Sequence, residues 1–167
     1  MILARFLVSS IYLFTDFYSY NHKGHGASGE VVLVTHKVTG KSFACKIVKK
    51  NSNMNDAQSM STEIEIMKRI RHRNIVSMYE LYETPKCLWI ILELVDAGDL
   101  HHYLANTVHY NEVMASRQFR QILNGVHYLH SLGVVHRDLK LDNILLSVSL
   151  IFLFVLLAFL LIFFLIS

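Results

Sequence analysis

The sequence predicts an α+β fold in which antiparallel strands come first and helices follow. Residues 31–34 and 43–48 are rich in β-branched and aromatic side chains and flank a Thr-Gly-Lys turn at 39–41, which is typical of a hairpin. Further along the chain, apolar residues recur three and four positions apart, as they do on one face of a helix. The 167 residues suffice for one buried core.

The remaining elements follow in order. Ile64, Met67 and Ile70 predict a helix that ends near His72. Residues 75–83 and 87–95 predict two strands joined by a turn around the single proline. Residues 96–98 break this pattern, and a short helix and a longer amphipathic helix follow. Their apolar positions are Leu100, Tyr103 and Leu104, and then Phe119, Ile122, Leu123, Val126 and Leu129, with a stop at Gly133.

Composition excludes some classes of function. The net charge is only +3, and Lys and Arg alternate with Asp and Glu, so no basic stripe indicates a nucleic-acid partner. Cys45 and Cys87 have no metal-ligand spacing, which favours a reducing compartment. We interpret His127, His130 and the nearby His136 as partly exposed helix residues because no matching Cys or carboxylate accompanies them.

The glycine-rich stretch "GHGASGEV", from Gly24 through Gly26 and Gly29 to Val31, fits the pattern G-x-G-x-x-G-x-V. A glycine-rich turn needs no ligand, so the triplet alone is a weak signal. Its context is more informative, because the chain continues as a strand and not as the helix that a dinucleotide-binding turn would open. This arrangement favours a flap whose backbone amides lie over nucleotide phosphates.

The strand "FACKIV" carries Ala44 and Lys46 on one face. A lysine buried in an apolar strand requires a partner, since an unpaired buried charge costs several kcal/mol. Glu63 on the following helix can supply the carboxylate, and the pair can then hold the α and β phosphates of a nucleotide. The alternative is an exposed lysine on an edge strand.

The segment "HRDLKLDN" carries the sharpest chemistry in the sequence. Asp138 can accept a hydroxyl proton and orient the hydroxyl for in-line attack, Lys140 can neutralise a transferring phosphoryl group, and Asn143 can hold a magnesium ion. The alternative, a polar loop after a helix, does not account for the two preceding motifs in the same order.

Residues 18–147 resemble the protein kinase family. The resemblance depends on the three motifs above and on the segments "TEIEIMKRIRHRNIV" and "LWIILELVDAGDL", in the order of the family. The resemblance implies a small lobe of antiparallel sheet plus one helix over about 18–95, and an incomplete helical large lobe over about 96–147. Lys140 is similar to serine/threonine kinases rather than tyrosine kinases. The body of the domain looks most like the calcium/calmodulin-dependent or checkpoint-type branch.

The resemblance also assigns roles to residues. It places Gly24, Gly26, Gly29, Lys46 and Glu63 around the nucleotide phosphates, Leu92 at the gatekeeper, Glu93 and Val95 at the adenine hinge, and Asp99 near the ribose. Val31 and Ala44 belong to the same nucleotide-binding site. The catalytic set is Asp138, Lys140 and Asn143, with Asn143 as a metal ligand. The cofactors are ATP and Mg²⁺, and the partner is a protein substrate with a Ser or Thr hydroxyl.

The sequence also departs from the family pattern. Lys23 stands where an apolar residue is usual, and Ser28 replaces the common aromatic residue at the loop tip. No charged residue follows Asp142, so the Asp-Phe-Gly metal ligand of the family has no counterpart. We therefore expect this chain to be inactive alone. The alternative function is a non-catalytic module that binds nucleotide or a partner protein, and a third is an unstable product.

Both ends of the chain are apolar. Residues 1–17 predict a hydrophobic leader without a cleavage site. Residues 148–167 follow the last kinase-like position, and residues 150–166 are uninterruptedly apolar, about 26 Å long as a helix. Two interpretations stay open. Val148-Ser149 matches the codons of an in-frame splice donor, so the tail is retained intron, or the tail anchors an otherwise cytoplasmic protein to a membrane.

Overall fold

The structure, a computed structural model, describes residues 16–18, 22–26, 29–50, 67–147 and 153–156. These residues form two compact units. The first contains the described residues up to Lys50 together with Met78–Leu94, and the second contains residues 67–77 and the described residues from Val95 onward. The first unit is a sheet and the second is mainly helical, which confirms the predicted α+β class. Glu63, the leader before residue 16 and most of the tail lie outside the described residues.

The first unit is an antiparallel sheet of six strands with the order β1-β3-β4-β6-β5, in which β2 also pairs with β3. The strands are β1 (Phe17–Tyr18), β2 (His22–Gly26), β3 (Gly29–His36), β4 (Ser42–Lys49), β5 (Met78–Glu83) and β6 (Cys87–Leu92). The predicted hairpin is confirmed in β3 and β4. Gly40 has a φ of 67°, a left-handed conformation that suits glycine in a tight turn.

One face of this sheet forms the core of the first unit. The buried residues alternate along the strands as period-two patterning requires, and they are Phe17, Val32, Val34, Phe43, Cys45 and Ile91. Phe17 packs edge-on against the Phe43 ring at 5.9 Å, so a residue predicted as part of the leader belongs to the sheet. Burial raises the pKa of the Cys45 thiol to about 12, which keeps it protonated.

The strands β5 and β6 are shorter than the sequence predicts. Residues 75–77 precede β5, and β6 ends at Leu92 rather than at residue 95. Ile75 is buried, but in the core of the second unit and not in the sheet. The strand-like pattern of residues 75–83 therefore crosses from one unit into the other, and hydrophobicity alone does not mark where the strand begins.

The second unit contains two helices, a 3₁₀ turn and a hairpin. They are α1 (Leu100–Ala105), α2 (Glu112–Ser131), the turn Leu141–Asn143, β7 (Ile144–Ser147) and β8 (Leu153–Leu156), and residues 67–69 are also helical. Asn111 begins α2 by accepting a hydrogen bond from the Met114 amide at 3.0 Å. Gly133, with a φ of 73°, follows the end of α2 where the sequence predicts a stop.

The buried face of α2 differs from the predicted apolar stripe. Gln118, Ile122, Gly125 and Leu129 are buried, at spacings of four, three and four residues. Phe119 and Leu123, which the sequence places in the stripe, are 59% and 50% exposed. Each follows a buried residue directly and so points about 100° away from it around the helix. Apolar character alone does not reveal which side of this wide stripe faces the core.

The segment 70–76 packs against the middle of α2. The Asn74 side-chain amide donates to Gln121 at 3.2 Å, and the Arg71 backbone amide donates to the Tyr128 hydroxyl at 3.1 Å. His72 stacks on the Tyr128 ring with 4.9 Å between centroids. Gly125 allows this close approach, because a Cβ built there would lie 3.2 Å from the Asn74 carbonyl oxygen.

The described part of the tail is a strand. Residues Leu153–Leu156 pair antiparallel with β7, with Leu156 opposite Ile144 and Leu153 opposite Ser147. A membrane-anchoring helix over residues 150–166, one of the two interpretations of the tail, does not fit these four residues, because their backbone groups bond to a neighbouring strand and not along a helix. None of the helices in the described part of the chain is long and apolar enough to cross a membrane.

Candidate functional site

The loop between α2 and β7 brings Asp138, Lys140 and Asn143 together. The Lys140 Nζ lies 3.0 Å from the Asp138 Oδ2, and the Asn143 Nδ2 donates to the same oxygen at 3.0 Å. Asn143 Nδ2 also donates to the Asp138 carbonyl oxygen at 2.8 Å. The 3₁₀ turn Leu141–Asn143 produces this convergence, since it curves the chain back and buries the Asn143 side chain.

The electrostatics of this cluster favour an ionised Asp138. The hydrogen bond from Lys140 is the main cause that lowers the Asp138 pKa, and the bond from Asn143 adds to it. Both bonds use Oδ2, so the second carboxylate oxygen, Oδ1, carries neither. An ionised carboxylate with one such oxygen can accept a hydrogen bond from an incoming hydroxyl.

Two features of the loop were missed by sequence reasoning. His136, interpreted as a partly exposed helix residue, is buried and lies outside the helix, where its Nδ1 accepts from the Asp138 amide at 3.3 Å. His101 on α1 lies with its Nδ1 3.1 Å from the Asp142 Oδ1, and this hydrogen bond lowers the Asp142 pKa. The spacing of His136 before Asp138 is visible in the sequence, but the 41-residue separation of His101 and Asp142 is not informative.

The residues of this loop fit a magnesium ion only in part. Asn143 uses Nδ2 for both of its hydrogen bonds, which leaves its side-chain carbonyl oxygen as a ligand of the kind that Mg²⁺ prefers. Within the described residues, no group of three or more His, Cys, Asp or Glu side chains can hold a metal. The loop therefore offers one neutral oxygen ligand, and a bound ion would need its other ligands from elsewhere.

In the first unit, Lys46 is buried in β4, only 5% exposed. It lies opposite Val31 on β3 and opposite Ile90 on β6, so it occupies a central strand and not an edge. Burial lowers its pKa to about 8. The predicted partner, Glu63, lies outside the described residues.

The predicted flap is the hairpin of β2 and β3. Gly24 lies opposite Val31 and Gly26 lies opposite Gly29, while residues 27 and 28 between them are outside the described residues. The register shifts between His22 and Gly24, which marks an irregularity at the first glycine. Gly24 and Gly26 thus lie on β2 and Gly29 lies on β3, which is the neighbour of the strand that carries Lys46.

The remaining predicted residues follow the sheet. Leu92 is the last residue of β6 and is buried, and Glu93 and Val95 lie in the irregular segment after it. Asp99 caps α1, with its Oδ1 accepting from the His102 amide at 2.7 Å. The cap fixes the start of α1 directly after a chain segment that is not in a regular element.

Comparison with known proteins places this geometry in a family. Residues 18–152 match the family described as "Protein kinase domain". The chain belongs to the protein kinase family. This confirms the resemblance deduced from the motifs. A solved structure of Rad53 in complex with AMP-PNP is similar to this chain, with a TM-score of 0.78 and 32% sequence identity, and the match covers 87% of the present chain. The predicted kinase-like fold class is thereby confirmed.

Two curated relatives come from Dictyostelium discoideum. A probable myosin light chain kinase is 41% identical over 79% of this kinase chain, and the probable serine/threonine-protein kinase fhkE is 42% identical over 74%. The kinase chain covers 42% and 18% of these relatives and 38% of the Rad53 chain. It therefore spans less than half the length of the proteins it matches.

Proposed function

We propose that this chain is the ATP-binding part of a serine/threonine protein kinase domain, and that it presents a protein hydroxyl for phosphorylation. The observation that carries the proposal is the convergence of Lys140 and Asn143 on one carboxylate oxygen of Asp138. A structural loop has no need for a lysine, a carboxylate and a buried amide at hydrogen-bond distance. A phosphoryl-transfer site needs all three.

Each group in the loop has a distinct task. Asp138 accepts a hydrogen bond from the substrate Ser or Thr hydroxyl through its Oδ1 and then takes the proton. This bond aligns the hydroxyl oxygen of the substrate with the phosphorus. As the new O–P bond forms and the bond to the leaving phosphate breaks, Lys140 neutralises charge on the phosphoryl oxygens. Asn143 holds the Asp138 carboxylate and offers a carbonyl oxygen to the metal. Magnesium, when bound, would supply positive charge that neutralises the phosphates.

The nucleotide side of the proposal starts from Lys46 and follows the family resemblance for the other residues. Lys46, with Glu63 as its partner, would hold the α and β phosphates under the glycine flap of Gly24, Gly26 and Gly29. Val31 and Ala44 would flank the nucleotide, Glu93 and Val95 would meet the adenine, and Asp99 would bond to the ribose. The burial of Lys46 in a central strand supports this, because a buried ammonium attracts a bound phosphate more strongly than an exposed one does.

We propose further that the 167-residue polypeptide binds nucleotide without completing the transfer. No Asp or Glu follows Asp142 in the sequence, so no second carboxylate is present to hold magnesium on the β and γ phosphates. Asn143 is a neutral ligand and cannot replace that charge. This polypeptide would then act as a nucleotide-binding module, which is the second candidate function.

Calorimetric titration with AMP-PNP and Mg²⁺ tests the binding. We expect saturable binding by the 167-residue polypeptide and at least a tenfold loss of affinity in Lys46→Met. Lys49→Met is the matched control, because Lys49 lies on the same strand but is exposed, and its affinity should equal that of the unmodified chain. Absence of binding by the unmodified chain would contradict both candidate functions.

Incubation with γ-labelled ATP and Ser/Thr peptides tests the transfer. We expect no labelled peptide above the level given by Asp138→Asn. Transfer that requires Asp138 would show that the polypeptide is a complete catalyst and that the missing second carboxylate is dispensable.

A further inference from the structure

Helix α1 and the segment before it contact the chain on both sides of Asn143, in the loop between α2 and β7 and at the start of β7. After Asn143 in the chain, Asp99 forms an isolated β-bridge with Leu145. The Ala97 amide donates to the Leu146 carbonyl oxygen at 3.0 Å, and the Leu146 amide donates to the Gly98 carbonyl oxygen at 2.8 Å. Before Asn143, the His101 Nδ1 lies 3.1 Å from the Asp142 Oδ1. The side chain of His101 thus fixes the residue before Asn143, while the backbone bonds of residues 97–99 fix the residues after it.

The turn Leu141–Asn143 needs such an external bond. A 3₁₀ turn of three residues has few internal hydrogen bonds, and here the Asn143 amide bonds to the Lys140 carbonyl at 3.0 Å. Lys140, at the capping position of this turn, gives it no side-chain cap, and its ammonium group is instead directed to Asp138. The side-chain contact between His101 of α1 and Asp142 instead ties this turn to a neighbouring helix.

We propose that His101 is a positioning residue, which holds the turn through Asp142 so that Asn143 keeps both of its bonds to Asp138. This inference rests on the proposed function for its consequence, because Asn143 is then also the oxygen ligand of the nucleotide-borne magnesium. His101 touches neither substrate nor nucleotide in this proposal. It sets the geometry of residues that do.

The size of the effect follows from exposure. His101 and Asp142 side chains are 64% and 57% exposed, so the hydrogen bond competes with water. We therefore expect changes of about three- to fivefold in the properties of Asn143, and no loss of folding. His101→Asn places an amide donor close to where the histidine Nδ1 lies, and it should restore most of the stabilisation of the turn.

Amide hydrogen exchange without nucleotide tests the positioning directly. In His101→Ala we expect the Asn143 amide to exchange about three- to fivefold faster, with the Leu129 amide of α2 unchanged. His101→Asn should return the Asn143 rate to within about twofold of the unmodified chain. His102→Ala, an exposed histidine on the same helix, is the matched control and should leave the rate unchanged. Unchanged exchange in His101→Ala, or equal acceleration in His102→Ala, would overturn the proposal.

A double-mutant cycle with Asp142→Ala identifies the bond as the cause. If His101 acts through Asp142, the double variant should exchange no faster than either single variant, because the same bond is lost in all three. Fully multiplicative effects of the two substitutions would show that His101 acts by another route and would contradict the inference.

Nucleotide titration then separates this inference from the proposed function. We expect His101→Ala to weaken AMP-PNP binding about threefold in Mg²⁺ and to leave it unchanged in EDTA, since only the metal depends on Asn143. Equal weakening in both conditions would contradict a role through Asn143. If the unmodified chain binds no nucleotide, the proposed function fails, whereas the exchange measurements still decide whether His101 positions the turn.

Discussion

Lys46 shows how much of the site can be deduced at the scale of single residues. Its place in the apolar strand "FACKIV" predicts burial, and the structure buries it in the centre of the sheet. Asp138, Lys140 and Asn143 lie within six residues of sequence, so their convergence requires only local folding. His101 and Asp142 meet through tertiary packing of α1 on the loop. The sequence alone does not show this packing, so it gives no signal for the pair.

The lowered pKa of Lys46 predicts a pH dependence of nucleotide affinity. In the free folded chain this pKa is about 8, compared with an ordinary value of 10.5, so the ammonium is present below pH 8 and lost above it. Phosphates bind the charged form. We expect the AMP-PNP affinity to fall by about twofold between pH 7 and 8 and then by up to about tenfold per pH unit. Calorimetry at pH 7, 8 and 9 measures this.

The arginine variant is the control for that experiment. A guanidinium stays charged throughout this pH range, so Lys46→Arg should bind with an affinity that does not change between pH 7 and 9. Proton uptake should accompany binding to the unmodified chain at pH 9, because phosphate raises the Lys46 pKa again. An unchanged affinity of the unmodified chain from pH 7 to 9 would contradict the assignment of Lys46 to the phosphates.

At the scale of elements, the long helix α2 shows where prediction succeeds and where it fails. Its end was deduced because Gly133 acts locally, through a left-handed backbone, whereas its start at the Asn111 cap was not predicted. Its buried face was not, because Phe119 and Leu123 extend the apolar stripe beyond the surface that the segment 70–76 covers. Gln118 and Gly125, which lie on the buried face, carry no apolar signal at all.

Gly125→Ala tests the packing of α2 against that segment. Alanine gains about 1 kcal/mol of helix propensity, but its Cβ would lie 3.2 Å from the Asn74 carbonyl oxygen. Asn74 is buried and bonded to Gln121, so it cannot move freely, and overpacking of this kind costs about 1 to 3 kcal/mol. We expect a net loss of about 1 kcal/mol in the free energy of unfolding, measured in urea.

Asn124→Ala provides the comparison for this substitution. Asn124 is an exposed neighbour on the same helix, so the change adds propensity without a contact and should be neutral or slightly stabilising. If Gly125→Ala stabilises the chain as much as Asn124→Ala does, the close approach of α2 and Asn74 is not present in solution.

At the scale of the whole molecule, the order of strands before helices was predictable, since each element shows its own periodicity in turn. The β7–β8 hairpin was not, because the apolar tail shows no alternation from which a strand could be told from a helix. Pairing with β7, a tertiary contact, determines the conformation of Leu153–Leu156.

The exposed apolar residues of α2 predict self-association of this polypeptide. Phe119 and Leu123 lie one helical turn apart, and their side chains are 59% and 50% exposed. We expect Phe119→Gln/Leu123→Gln to raise the concentration at which light scattering detects association, with a change in stability of at most about 0.5 kcal/mol per substitution. The same measurement on Val38→Gln, an exposed residue in the β3–β4 turn, should show no such gain.

The enclosed thiol of Cys45 gives the sheet a built-in chemical clock. Its sulfur is fully shielded and stays protonated at neutral pH, whereas Cys87 at the start of β6 is only half-buried. An alkylating reagent should therefore modify Cys87 quickly and reach Cys45 only in molecules whose strands have separated. The ratio of doubly to singly modified chains over time would then report the opening rate of the sheet, without any engineered probe.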